Sequence, residues 1–263
     1  MDINHMEMQV IPIKHTILKS FEMVKKNSFD LIRLGAPLIF VTLLSTFYYQ
    51  SVETKQDNST LTLENMLIGA VYLFTLANAV IGAHRIFLLP SQDILNTKAI
   101  RWTMRETRFT AWWFAISLCA GLIAIPLSFI VLPLTLSLTN ELIQNKSITY
   151  IFSMFITLPV GYLFCRWALI FPATAIDQKN KSLEWSWKLS KGHSLRLFIL
   201  IGGIPLITNI MLSLLPNSES IFIDIIYQII WLVVGVVEVC LLSLCYQILS
   251  DWHSENTLVS TEL

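Results

Sequence analysis

The sequence predicts an all-α fold: a polytopic membrane bundle of six transmembrane helices arranged as three hairpins, with amphipathic helices lying at the cytoplasmic interface. Three observations predict it. The 263 residues are 54% hydrophobic and only 14% charged, whereas soluble domains carry about 25% charged residues. Such a deficit suits a lipid solvent, in which charge is costly, and the mean hydropathy of +0.63 agrees. Six apolar runs reach the ~20 residues that a hydrocarbon core about 30 Å thick requires of a helix. Finally, all but Lys55 and Lys146 of the 18 basic residues fall before or at the entry of the first run, or in the second and fourth connections and the run ends that flank them.

In chain order, residues 1–11 form a polar tail without the apolar core or small-residue cleavage site of a signal peptide. Residues 13–26 place Ile13, Ile17, Phe21 and Val24 on one helical face. Lys14, Lys19, Glu22, Lys25 and Lys26 lie mostly off it, as in a helix resting in the headgroup layer. The first two spans are Leu31–Tyr49 and Met66–Ala83. The basic connection after them carries Arg85, Lys98, Arg101, Arg105 and Arg108, and Trp102 gives it a similar interfacial character. The third and fourth spans are Ala111–Leu138 and Ile148–Ala168. Residues 182–191 then form a short basic helix, with Ser182 as N-cap and Gly192 as C′ stop. It carries Trp185, Trp187, Lys188 and Lys191, and tryptophan is favoured at a membrane interface. Leu195–Leu215 and Ile221–Leu249 complete the six, leaving 251–263 as a second tail. Pro37, Pro126, Pro159 and Pro205 lie inside runs, where each removes a backbone donor and is expected to kink its helix.

The alternation of basic connections puts both termini in the cytoplasm. The opposite connections are short and mildly acidic, too small for an ectodomain. They contain two glycosylation-type triplets, Asn58-Ser59-Thr60 and Asn145-Lys146-Ser147. Pro12, Pro90 and Pro172 recur about every 80 residues, each followed by a polar or amphipathic segment and a pair of spans. The single membrane domain, 1–263, thus divides into repeat units 12–84, 85–166 and 167–250.

Chemistry-bearing residues are few. Cys119, Cys165, Cys240 and Cys245 all sit in apolar runs and read as packing residues. His84 and His193 lie near span ends and read as surface histidines, with no carboxylate at a pairing distance in sequence. No phosphate-binding loop, zinc motif or nucleophile elbow is present, so no enzyme, cofactor or metal is implied. Two charges stand out. Arg166 lies within YLFCRWALIF and Glu238 within VVGVVEVCLLSLC. Intramembrane charges face protein or water and need partners. Counting along the fourth and sixth spans puts both at similar depth, so an Arg166–Glu238 pair inside the bundle is expected.

The basic N-terminal segment, the six spans, the arginine before a cytoplasmic proline (Arg166 to Pro172) and the turn Trp187-Lys-Leu-Ser-Lys-Gly192 form a combination. It resembles the bacterial inner-membrane proteins of the YciC type. It is also similar to the membrane domain attached to some glycerophosphodiester phosphodiesterases. The resemblance implies a bacterial inner-membrane location and transfers no catalytic residues. Two function classes remain open. One is a non-catalytic module organising membrane lipids or partner proteins, with Trp102, Arg105, Trp185, Trp187, Lys188 and Lys191 at the headgroups. The other is a small transporter with a path lined by Arg166 and Glu238. Nothing suggests a nucleic-acid partner.

Overall fold

The computed structural model describes residues 10–53, 63–95, 97–136, 146–179, 181–213 and 220–261. Among them there is no strand. The long helices are α2 (Ser28–Glu53), α3 (Leu63–Leu88), α5 (Met104–Leu136), α6 (Lys146–Trp167) and α11 (Ile221–Thr261). Shorter ones are α1 (Ile13–Lys26), α4 (Ser91–Leu95), α7 (Ile170–Ala175), α8 (Leu183–Leu189), α9 (Ser194–Leu197) and α10 (Gly203–Ser213). A π-helical turn, Phe198–Gly202, joins α9 to α10.

Six helical stretches are long and apolar enough to cross a bilayer. They are Ser28–Gln50, Leu63–Leu88, Met104–Ile130, Ile156–Ala175, Ser194–Leu212 and Ile221–Ser254. The chain is therefore a multi-pass membrane protein. Large apolar side chains stay exposed along these spans, including Phe40, Leu44, Leu67, Leu118, Leu122, Phe129, Met211, Phe222 and Ile229. In water such a surface would drive aggregation, but in hydrocarbon it is the solvated face, and hydrogen-bonded helices leave no backbone group bare. The triplets at Asn58 and Asn145, and the predicted ends of the third and fifth spans, lie outside the described residues.

The first two hairpins pack as expected, α2 against α3 and α5 against α6. The last is looser, because α11 packs more on α3, α1 and α2 than on α10. One core joins the inner ends of α5, α6, α7 and α11, with Ile116, Ala168, Leu169, Ile170, Leu197 and Leu241 at its centre. Pro205 lacks a backbone donor that a continuous helix would use, and the irregularity is expressed just before it as the π-helical turn, which runs directly into α10. Gly202 lies in that turn, where an added Cβ would come 3.2 Å from the Phe198 ring and 3.4 Å from Cys165 Sγ.

Two expectations change. The segment 13–26 is helical, yet it packs on the bundle as well as facing outward. Its fully buried positions are Thr16 and Ser20, while Phe21 is 54% exposed. Small side chains win there because they let α1 approach α11 closely, and the Cys240 thiol reaches the Ser20 carbonyl at 3.7 Å. The sixth span reaches Ser254, and its helix continues beyond it to Thr261, into the predicted tail.

Candidate functional site

Three side-chain clusters lie at the end of the bundle that carries the basic connections. The first centres on Arg166, in the last turn of α6. Helix ends leave backbone carbonyls without intrahelical donors. The Ser186 hydroxyl, brought over by α8, donates to the carbonyls of Arg166 and Trp167 at 2.6 and 3.1 Å. In return the Arg166 guanidinium reaches into α8. Its Nη2 donates to the Trp187 carbonyl at 2.8 Å and its Nε to Ser190 Oγ at 2.9 Å. Ser190 spends its own proton on the Trp187 carbonyl at 3.0 Å, so it accepts from Arg166. The Trp187 ring covers the guanidinium at 3.4 Å, a cation–π contact. Sequence-local signals build this clasp: Ser182 Oγ accepts from the Trp185 amide, and Gly192 takes φ +85° to stop the turn.

Arginines elsewhere repeat the device. Arg33 donates to the Ile94 carbonyl at 3.5 Å, Arg85 to Ala175 at 3.3 Å and Arg196 to Ile11 at 2.7 Å. Arg33 and Arg196 each tie a short peripheral segment to a span, whereas Arg85 joins two spans, α3 and the end of α7. Beside Arg196, the imidazole of His193 is held below its ordinary pKa, first by burial and then by the arginine's charge.

The second cluster gathers three arginines around one carboxylate. Asp177 follows α7 and takes φ +59°, a left-handed conformation that aspartate tolerates better than most residues. Arg105 Nε lies 3.1 Å from its carboxylate, Arg108 Nη2 3.0 Å and Arg85 Nη1 3.9 Å. Glu106 stands 3.9 Å from Arg105 but is buried and occupied by the amide and hydroxyl of Thr103. The Nε of Arg85 is buried without a hydrogen-bond acceptor, and that of Arg105 meets the Asp177 carboxylate as an ion pair, not as an aligned hydrogen bond. Positive charge and donors are both in excess here.

The third cluster is a cavity of about 250 Å³ between α3, α5, α6, α7 and α11. Glu238 and His84 line it together with Phe109, Trp113, Phe164 and Phe171. His84 Nδ1 and Ser243 Oγ are 2.8 Å apart, and Ser243 donates to the Val239 carbonyl at 2.7 Å, so His84 is the donor in that pair.

The predicted site residues separate accordingly. Arg166 and Glu238 are both on interior faces but form no ion pair among the described residues, since Arg166 is committed to α8. Counting residues fixes depth, whereas helix rotation decides which neighbour is met. His84 is not a surface residue: it is 1% exposed, its burial coming from α11 through Ser243. Trp102 stacks on Phe74, with ring centroids 5.1 Å apart, in a stretch that is not helical. Arg105 joins the Asp177 cluster. Trp185 packs edge-on to Tyr246 at 6.3 Å, with Lys181 Nζ 4.3 Å from its ring centroid. Lys188 pairs with Glu184 at 2.6 Å, which lowers the glutamate's pKa, and Lys191 is exposed. Sequence reasoning missed Asp177 and Ser243. An acid inside a strongly basic connection was the one available signal for the former.

The fold and these clusters define a polytopic helical membrane protein with a charged, arginine-tied end. No family model, curated protein or solved structure matches the chain.

Proposed function

We propose that the chain is a non-catalytic module of a bacterial inner membrane, of the YciC-like kind, with both termini in the cytoplasm. It organises anionic lipids, or partner proteins, at its basic end. The observation that carries this reading is the Asp177 cluster. Three guanidiniums share one carboxylate, and the buried Nε–H of Arg85 has no acceptor. A lipid phosphate supplies both the charge and the acceptor oxygens. Trp102, Trp187 and Lys191 are exposed and flank this end as headgroup-level side chains. The sequence supplies no catalytic motif.

The test is extraction with native lipid followed by mass spectrometry of the retained lipids. The wild-type chain is expected to keep anionic phospholipid through washing. The double substitution Arg105→Gln with Arg108→Gln should lower that retention about 30-fold, at about 1 kcal/mol per basic residue near a charged leaflet. Equal retention by both proteins sinks the lipid reading. Orientation has its own check in intact cells with an impermeant thiol reagent. Lys146→Cys should label and Ser182→Cys should not; labelling at 182 reverses the topology.

A second reading, a small transporter with a path lined by Arg166 and Glu238, is favoured by one observation, the cavity beside Glu238. Arg166 is not among that cavity's walls.

A further inference from the structure

Glu238 is a carboxylate inside a membrane span with no hydrogen bond or ion pair among the described residues, and it is only half-buried, so the cavity is not sealed around it. A charge in such surroundings is expensive unless something compensates it. The candidate cation from its own bundle, Arg166, is held by Ser190 and Trp187 instead. His84 gives its Nδ1 proton to Ser243.

The rest of the wall is aromatic. Phe109 and Phe171 lie 5.0 Å apart between centroids, Phe164 and Phe171 6.4 Å, and Trp113 lines the same space. Ring faces carry negative quadrupole density and attract cations, most strongly when desolvated. A metal ion would want several oxygen ligands, and the cavity offers one carboxylate. An anion would meet that carboxylate's repulsion. A neutral lipophile would leave it uncompensated. At about 250 Å³ the space is smaller than the ~300–1,000 Å³ of drug-sized sites.

We propose that the cavity beside Glu238 binds a small organic cation, an amine or quaternary ammonium on an apolar body. Glu238 is the counter-charge, and Phe109, Trp113, Phe164 and Phe171 enclose the cationic head and its apolar substituent. This site is separate from the arginine cluster and stands independently of the lipid reading.

The test uses the full chain in lipid nanodiscs and equilibrium dialysis of labelled benzyltrimethylammonium, with empty nanodiscs as the blank. Saturable uptake above the blank is expected, and benzenesulfonate, an aromatic anion, should show none. Glu238→Gln removes the charge while keeping the shape, and should weaken binding about 30-fold or more. Trp113→Leu leaves the charge and removes a ring face. It should weaken binding about fivefold, and it decides the matter should Glu238→Gln fail to fold. Uptake no greater than the blank, equal uptake of the sulfonate, or unchanged binding in Trp113→Leu and in a folded Glu238→Gln protein would overturn the proposal.

Discussion

Replacing Arg166 with methionine should lower the stability of the detergent-solubilised protein by about 3 kcal/mol, the largest effect expected of any single substitution discussed. Hydrogen bonds to a charged group contribute about 1.5–3 kcal/mol each, and Arg166 makes two such bonds to α8. Relief of burying a charge offsets part of their sum. Methionine fills similar volume and can still touch the Trp187 ring through its sulfur, so the loss isolates the hydrogen bonds. The informative control is Arg166→Lys. Lysine keeps the positive charge that orients the chain, but not the planar fork that reaches Ser190 and Trp187 together. It should recover less than half of the loss in a denaturation measurement. Full recovery would mean that charge alone matters at this position.

Asp177→Asn should cost about 2 kcal/mol at low salt, between the values for exposed and for buried ion pairs. Asparagine tolerates the left-handed backbone that Asp177 adopts at φ +59°, so backbone strain does not enter. What remains is three guanidiniums that have lost a shared carboxylate. Arg105 is only 11% exposed, whereas Asp177 is 46% exposed, so mobile ions reach the cluster from one side. The penalty should therefore shrink as salt rises towards 1 M, where the screening length falls to about 3 Å. It should shrink further in nanodiscs containing anionic lipid, because phosphate can occupy the vacated place. An unchanged penalty in salt and in anionic lipid would make Asp177 a fixed structural pin, and would remove the support it lends to lipid binding.

Much of the fold was legible because its signals are local. Run length and hydropathy located all six spans, and the pattern around 182–192 located a capped turn whose Ser182 and Gly192 behave as expected. The contents of the interior were not legible, for a physical reason. Rise per residue is constant in a helix, so depth can be counted, but rotation about the axis is set by packing against neighbours. Arg166 found its acceptors on α8, 21 and 24 residues onward, rather than on α11. His84 lies close to the end of its span and looked superficial, yet its partner Ser243 stands 159 residues away. The arginines of the basic connections looked like topological markers, and several prove to be bound to particular backbone carbonyls.

The contact of α1 with α11 joins helices separated by the rest of the chain. Of the described helices α1 is made first and α11 last, with about 200 residues between them. At the ~5–20 residues per second of protein synthesis, that is about 10–40 s during which α1 lacks the larger part of its docking surface. Throughout that interval the apolar side chains of Ile13 and Ile17 must be sheltered by something else, and the adjacent bilayer surface offers shelter to an amphipathic helix with lysines on its other face. The same fourteen residues thus serve two environments in succession. The apolar stripe with its lysines suits the wait, and the small pair Thr16 and Ser20 suits the finished contact. A nascent chain stopped before α11 should accordingly leave α1 on the lipid, reachable by a protease that no longer cuts it once the last helix has arrived.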